Sequence, residues 1–149
     1  MSNNNVTLHR VIKASPRKVY RAFTEAAALA AWLPPYGFLG LVHELDTSVG
    51  GTYKMSFINF TTGHAQSFGG TYLENEPDKF LRYKDKIDDP GFPEEMITSI
   101  RITEVMGGTD LKITQENIPP AIPAEMCYMG WQDSLDKLTR LVEPDIADN

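Results

Sequence analysis

Two polar side chains stand in apolar company. Gln115 continues the series Leu111, Ile113, Gln115, and Arg10 keeps step with Leu8 and Ile12. In a strand, residues two apart share a face, so both side chains are directed toward whatever their apolar companions are buried against. An amide facing a core finds partners or accepts about 1–3 kcal/mol of desolvation cost. Gln115 is therefore either paired to backbone or placed to bind a ligand, and both readings stay open. Arg10 poses the same problem with a full charge, which an acidic neighbour or a ligand carboxylate would answer.

The remaining reactive groups form no catalytic constellation. His9, His43 and His64 lie on different strands or in a hairpin without metal-ligand spacing, so no metal is expected. Cys127 falls on an apolar helix face with no histidine near it in sequence, which describes an inert packed thiol. Asp88-Asp89 and Glu94-Glu95 are paired carboxylates, but the Asp85 to Glu95 stretch contains Pro and Gly and reads as a solvated charge run. Gly50-Gly51, Gly69-Gly70 and Gly107-Gly108 read as turns or bulges rather than a phosphate cradle. No catalytic residue and no cofactor is expected, and the balance leans away from an enzyme.

The elements that must position these residues are short strands closed by one helix. From Pro123 to Val142, Cys127, Trp131, Leu135, Leu138 and Val142 share one helical face, with Asp133, Asp136, Lys137 and Arg140 opposite. Asp133 to Lys137 and Asp136 to Arg140 have the spacing of i,i+4 ion pairs on a solvated face. Ahead of this helix, strand-like runs are predicted at Val6 to Lys13, Leu39 to Leu45, Thr52 to Phe60, Gln66 to Glu74, Phe80 to Lys84, Met96 to Val105 and Leu111 to Glu116. Turn residues separate them too closely for parallel crossovers, so the sheet is expected to be antiparallel. Ser15-Pro16 predicts a capped helix start, with Val19, Tyr20 and Phe23 on its buried side, and Thr24 is expected to cap a second short helix.

If the concave face of that sheet takes the apolar member of each alternation, Tyr53, Met55 and Phe57 point inward, as do Leu81 with Tyr83, Ile100 with Ile102, and Leu111 with Ile113. Cys127, Trp131 and Leu135 face them from the helix. Such a set either fills a core or walls an amphipathic pocket, with Tyr and Trp supplying hydrogen bonds and Met55 supplying adaptable packing. A second stripe, Ile122, Met126 and Met129, lies on the far side of the helix and serves either packing under a loop or a homodimer contact.

The landmarks now on the page resemble the SRPBCC superfamily, which includes START and birch-pollen-allergen-like proteins. The likeness is closest to its branch similar to the C-terminal domain of activators of the 90-kDa heat-shock-protein ATPase. It rests on Ile12 to Thr24, an apolar strand running through Ala14-Ser15-Pro16 into a helix, then Trp32-Leu33-Pro34, Gly50-Gly51-Thr52-Tyr53, Gly70-Thr71-Tyr72 with Pro77, Gly107-Gly108-Thr109 and Gly130 to Leu135. Each motif is weak alone; their order over most of the chain makes the likeness specific. Ala31-Trp32 stands where many members carry a doubled tryptophan.

The resemblance implies an α+β helix-grip fold. Its parts are a curved seven-stranded antiparallel sheet, two short helices after the first strand and a long C-terminal helix on the concave face. In many relatives a cavity between sheet and helix holds an apolar small molecule, and binding such a hydrophobic or amphipathic molecule is the expected function here. The candidate wall is Trp32, Tyr53, Met55, Phe57, Tyr83, Ile100, Ile102, Gln115, Cys127, Trp131 and Leu135. Two alternatives remain. A polyketide cyclase or aromatase-like enzyme would use Gln115, Arg10, Tyr53 and Tyr83, whereas an interaction protein would act as a chaperone regulator or a dimer. Full co-chaperones of this kind carry a separate chaperone-gripping domain, which is not found in these residues.

Composition bounds the partners. The 149 residues are expected to form one domain with flexible tails at 1–5 and 144–149. With 14 basic against 20 acidic residues and a net charge of -6, no basic stripe is available to follow a phosphate backbone or an anionic membrane. A single cysteine excludes an internal disulfide, and no apolar run reaches the ~20 residues of a membrane span. A cytoplasmic location is the expectation.

Overall fold

Period-two alternation sets the architecture, because each strand offers one apolar face and the sheet can bury them together only by curling round a helix. A computed structural model describes residues 4–148. Strand β1 (Val6–Ile12) is followed by helices α1 (Pro16–Thr24) and α2 (Ala26–Trp32). Six strands come next, β2 (Phe38–Leu45), β3 (Thr52–Asn59), β4 (Ala65–Glu76), β5 (Phe80–Ile87), β6 (Met96–Val105) and β7 (Gly108–Glu116), and α3 (Ala124–Val142) closes the fold. The strands form one antiparallel sheet in the order β1-β7-β6-β5-β4-β3-β2. This is the expected α+β arrangement, a curled half-barrel with a long helix in its grip.

Local chemistry explains the boundaries. The Ser15 hydroxyl accepts the Lys18 amide at 3.2 Å and Pro16 opens α1, as its sequence requires. Thr24 corrects an expectation. It ends α1 rather than capping α2, and its hydroxyl donates back to the Tyr20 carbonyl at 3.1 Å; Glu25 occupies the cap of α2, its side chain bonded to Arg21 rather than to the helix start. Strand β5 runs on to Ile87, past the expected end at Lys84, so Asp85 is strand rather than loop. Register shifts between Val42 and Glu44 and between Tyr72 and Glu74 bend the sheet. The expected tails fall outside the described residues at 1–3 and 149. Within them, Asn4 accepts the Ile118 amide at 2.9 Å and Asn5 Oδ1 accepts the Asn117 amide at 3.2 Å.

Register divides the concave face into two regions. Leu81, Ile100, Ile113 and Leu8 stand in one cross-strand row, and Ile102, Leu111 and Arg10 in the next. All but Arg10 are sealed, beneath α1, which lies on β6 and β7, and α3, which lies on β1, α1 and α2. Leu135, Leu138 and Val142 complete this core from α3. The other region begins at the row Tyr72, Tyr83, Thr98, Gln115 and Val6 and continues across β3 to β5.

Polar tethers fix α3 to one side of the sheet. Arg10 donates to Asp136 at 2.8 Å and to Gln132 at 2.5 Å, which realises the acidic-neighbour reading of this residue. Ser134 Oγ donates to the Leu33 carbonyl at 2.6 Å, and Lys137 Nζ to the Pro34 carbonyl at 2.8 Å. The two i,i+4 pairs anticipated inside the helix therefore do not close, because Asp136 and Lys137 are committed across the fold. Ile122 is half-buried against the core, while Met126 and Met129 are exposed. No helix among the described residues is long and apolar enough to cross a membrane.

Because Leu135 is only 1% exposed and Met126 is 65% exposed, truncation should discriminate sharply between them. Leu135→Ala is expected to lower the unfolding free energy by about 2–5 kcal/mol. Met126→Ala should stay within about 0.5 kcal/mol of the parent. Urea denaturation measures both, and equal losses would contradict the core described.

Candidate functional site

Where α3 stands off from β3, β4 and β5, the side chains leave a cavity of about 300 Å³. This lies at the lower end of the range for small-molecule sites. Tyr53, Met55 and Phe57 of β3, Gln66, Phe68 and Tyr72 of β4, and Tyr83, Asp85 and Ile87 of β5 form its floor. Met96 and Gln115 close one side, Cys127, Gly130, Trp131 and Ser134 of α3 form the roof, and Phe23, Leu29, Leu33 and Pro35 complete the rim.

The floor follows from the alternation of three strands and from one glycine. Gly70 falls in step with Phe68 and Tyr72 and brings no side chain between Tyr53, its partner on β3, and Asp85 on β5. A Cβ at this position would collide with the Lys84 carbonyl oxygen, so the two strands meet here only because residue 70 is glycine. Tyr53, Tyr72 and Tyr83 draw together, with ring centroids 5.7, 5.6 and 5.4 Å apart in the three pairings. Phe68 extends the group, edge-on to Phe57 at 4.8 Å and to Tyr53 at 6.3 Å.

Asp85 is the electrostatic centre of the cavity. The residue is 8% exposed, and burial pushes its carboxyl up to about 7, partly opposed by the Thr98 hydroxyl that donates to Oδ2 at 3.0 Å. Its Oδ1 has no hydrogen-bond partner among the described residues. Burial above all holds the Tyr53, Tyr72 and Tyr83 hydroxyls above the ordinary phenol range; the Asp85 charge comes second at Tyr53 and Tyr83, whereas at Tyr72 it comes third, after Tyr20. The Cys127 thiol is raised by burial first and the Asp85 charge second. Near neutrality the tyrosines and the thiol are therefore uncharged, and a carboxyl poised between its two forms could accept or return a proton or pair with a ligand group.

Gln115 finds a partner that neither sequence reading named. Its Oε1 accepts the Trp131 indole N–H at 3.1 Å, and its Nε2 lies 3.5 Å from the Met96 sulfur. A side chain of α3, rather than backbone, satisfies the amide, and the bond ties the roof to β7. Among the described residues, no three His, Cys, Asp or Glu side chains converge as a metal site would require.

Of the residues expected to wall a pocket, Tyr53, Met55, Phe57, Tyr83, Gln115, Cys127 and Trp131 line the cavity. Trp32, Ile100, Ile102 and Leu135 do not; they are sealed in the core. Trp32 packs edge-on against Phe23 at 4.8 Å and donates to the Ala22 carbonyl at 2.8 Å, while the two isoleucines belong to the covered rows of the sheet. Arg10 is directed to α3 and is not part of the lining. The residues missed are chiefly Asp85, Phe68, Tyr72, Met96 and Ser134. Asp85 was discoverable, since Leu81, Tyr83, Asp85 and Ile87 continue one alternation, but the acidic residues after it disguise the strand as loop.

Residues 13–143 match the family model described as Activator of Hsp90 ATPase homolog 1-like protein. Among solved structures, the chain is similar to protein CV1439 from Chromobacterium violaceum, with 54% identity and a TM-score of 0.94 over 95% of this chain and 99% of that one. A protein from Rhodobacter sphaeroides shares the fold at 21% identity and a TM-score of 0.80, with 92% of this chain and 90% of that chain covered. An AHSA1-like protein from Aeromonas hydrophila does so at 20% identity and a TM-score of 0.76, with 93% and 92% covered. No curated protein matches the chain.

Asp85 makes stability depend on pH with a definite sign. The folded carboxyl holds its proton up to about 7, while the unfolded one releases it near the ordinary value of 3.8. Between these values the folded state binds the extra proton, so unfolding free energy falls as pH rises through the window and stays low above it. Asp85→Asn removes this loss, and from pH 5 to pH 8 the variant should gain on the parent by on the order of 2 kcal/mol. Urea denaturation at both pH values provides the comparison; parallel profiles would mean that Asp85 is not held protonated by burial.

Proposed function

The chain belongs to the Activator of Hsp90 ATPase homolog 1-like family of the SRPBCC superfamily, and from its geometry we propose that it binds an apolar or amphipathic small molecule between the sheet and α3. The observation that carries this reading is a cavity of about 300 Å³ walled by aromatic and aliphatic side chains, with few polar groups. Protein interiors are ordinarily close-packed, and a cavity costs roughly 24 cal/mol per Å³ in stability. At that rate a space this large forgoes on the order of several kcal/mol that larger side chains would recover. A wall of Tyr53, Phe57, Phe68, Tyr83 and Trp131 around such a space suits a flat or short-chain molecule.

Gly130 gives the means to test the reading without disturbing the sheet. It lies in the roof, and a Cβ built there meets nothing within 4 Å. Glycine is also a weak helix former, so a larger residue improves local propensity by up to about 1 kcal/mol. Titration with the neutral fluorophore N-phenylnaphthylamine is expected to give saturable, one-to-one binding to the parent protein. Gly130→Leu should abolish the signal while leaving the melting temperature equal or higher. A folded parent that takes up no fluorophore, or a leucine variant that binds as well as the parent, would refute the assignment.

A further inference from the structure

The cavity has a sign as well as a shape. Its lining includes one carboxylate, Asp85, and no lysine, arginine or histidine. Of the surrounding cations, Arg10 is paired with Asp136, Lys54 with Asp88 at 3.5 Å and Lys84 with Glu95 at 4.0 Å, and Lys86 is exposed. Asp85 is more than nine-tenths buried, Thr98 satisfies its Oδ2, and its Oδ1 has no partner among the described residues. A buried carboxylate oxygen without a donor is costly, and a wall that brings no positive charge leaves the compensation to the ligand.

Around this carboxylate stand the rings of Tyr53, Tyr72 and Tyr83, each within 5.7 Å of the other two. Faces of aromatic rings attract cations, most strongly where water is excluded. A carboxylate and an aromatic group in one largely apolar cavity select the same chemistry, an organic ammonium ion with N–H donors. An anionic amphiphile would meet Asp85 with no counter-charge, and a neutral one would leave the Oδ1 charge uncompensated.

We propose that the ligand of this cavity is a small amphipathic amine, its ammonium paired with Asp85 among the three tyrosines and its apolar body lying toward Met55 and Phe68. This rests on the ligand-binding reading above and adds the charge and the donor group of the occupant. Asp85 is then a specificity-determining residue, and the tyrosines shield the ion pair from water.

Three probes that share a naphthyl body separate the charges: naphthylethylamine, naphthylethanol and naphthylacetate, titrated calorimetrically into the parent protein and Asp85→Asn at pH 8. The amine is expected to bind about tenfold or more tighter than the alcohol, the size of a charge-assisted hydrogen bond, and the carboxylate weakest of the three. In Asp85→Asn the advantage of the amine over the alcohol should disappear. An amine no tighter than the alcohol, a tighter carboxylate, or an amine preference that survives in a folded Asp85→Asn overturns the proposal. The comparison within the parent protein decides even if the variant fails to fold. Binding of N-phenylnaphthylamine without an amine advantage defeats the charge assignment alone; if neither that fluorophore nor any naphthyl probe binds, the ligand-binding reading fails with it.

Discussion

A guanidinium on the inner face of a sheet must be paired, and the pairing of Arg10 governs how this fold is assembled. Its position on β1 is set by alternation with Leu8 and Ile12, and its partners Gln132 and Asp136 lie one turn apart on α3. The helix is thereby held over the edge of the sheet that β1 forms. Ser134 and Lys137, bonded to the carbonyls of Leu33 and Pro34, hold it from the α2 side. Leu135, Leu138 and Val142 fill the space between these tethers, whereas the preceding turns of the same helix overhang the opposite part of the sheet. The cavity is what remains when a helix is fastened along one part of a curved surface.

The two regions of the concave face differ in chemistry because they differ in cover. Rows that meet the tethered part of α3 and α1 carry Leu and Ile, and their one charged member, Arg10, is satisfied by α3. Rows beneath the overhang carry tyrosine, threonine, glutamine and aspartate, among which Thr98 is bonded to Asp85 and Gln115 to Trp131. Oδ1 of Asp85 is buried with no partner among the described residues. A buried carboxyl oxygen without a partner is the costliest polar atom of this region, and it is the atom on which the proposed ligand contact rests.

The fold was legible in the sequence because its signals are local. Alternation located seven strands, Ser15-Pro16 located a helix start, and the apolar stripe of α3 required a sheet to lie against. The site was legible where strand and helix periodicity sufficed, as for Tyr53, Met55, Tyr83 and Trp131. What periodicity cannot supply is how far along the sheet the helix stays in contact, so residues of one inward series divide between core and cavity. Ile100 and Ile102 fell in the first group and Tyr83 in the second. Asp85 was lost for a different reason: four acidic residues between 85 and 95 beyond it imitate a solvated loop, and the strand's last two inward positions go unread. The Arg10 contact joins residues more than a hundred positions apart, and spacing along the chain contains no record of it.

The register shift between Val42 and Glu44 has a consequence beyond curvature. β2 is an outermost strand, paired on one side with β3, and Leu39 and Leu41 are half-exposed on it. A regular free edge with apolar side chains is a template on which a strand of another molecule can add, one hydrogen bond after another. The bulge breaks that template in the middle, so an incoming strand in register with Leu39 and Leu41 loses register beyond Val42. The irregularity that curls the sheet around its helix thus also guards the chain against polymerising through its border.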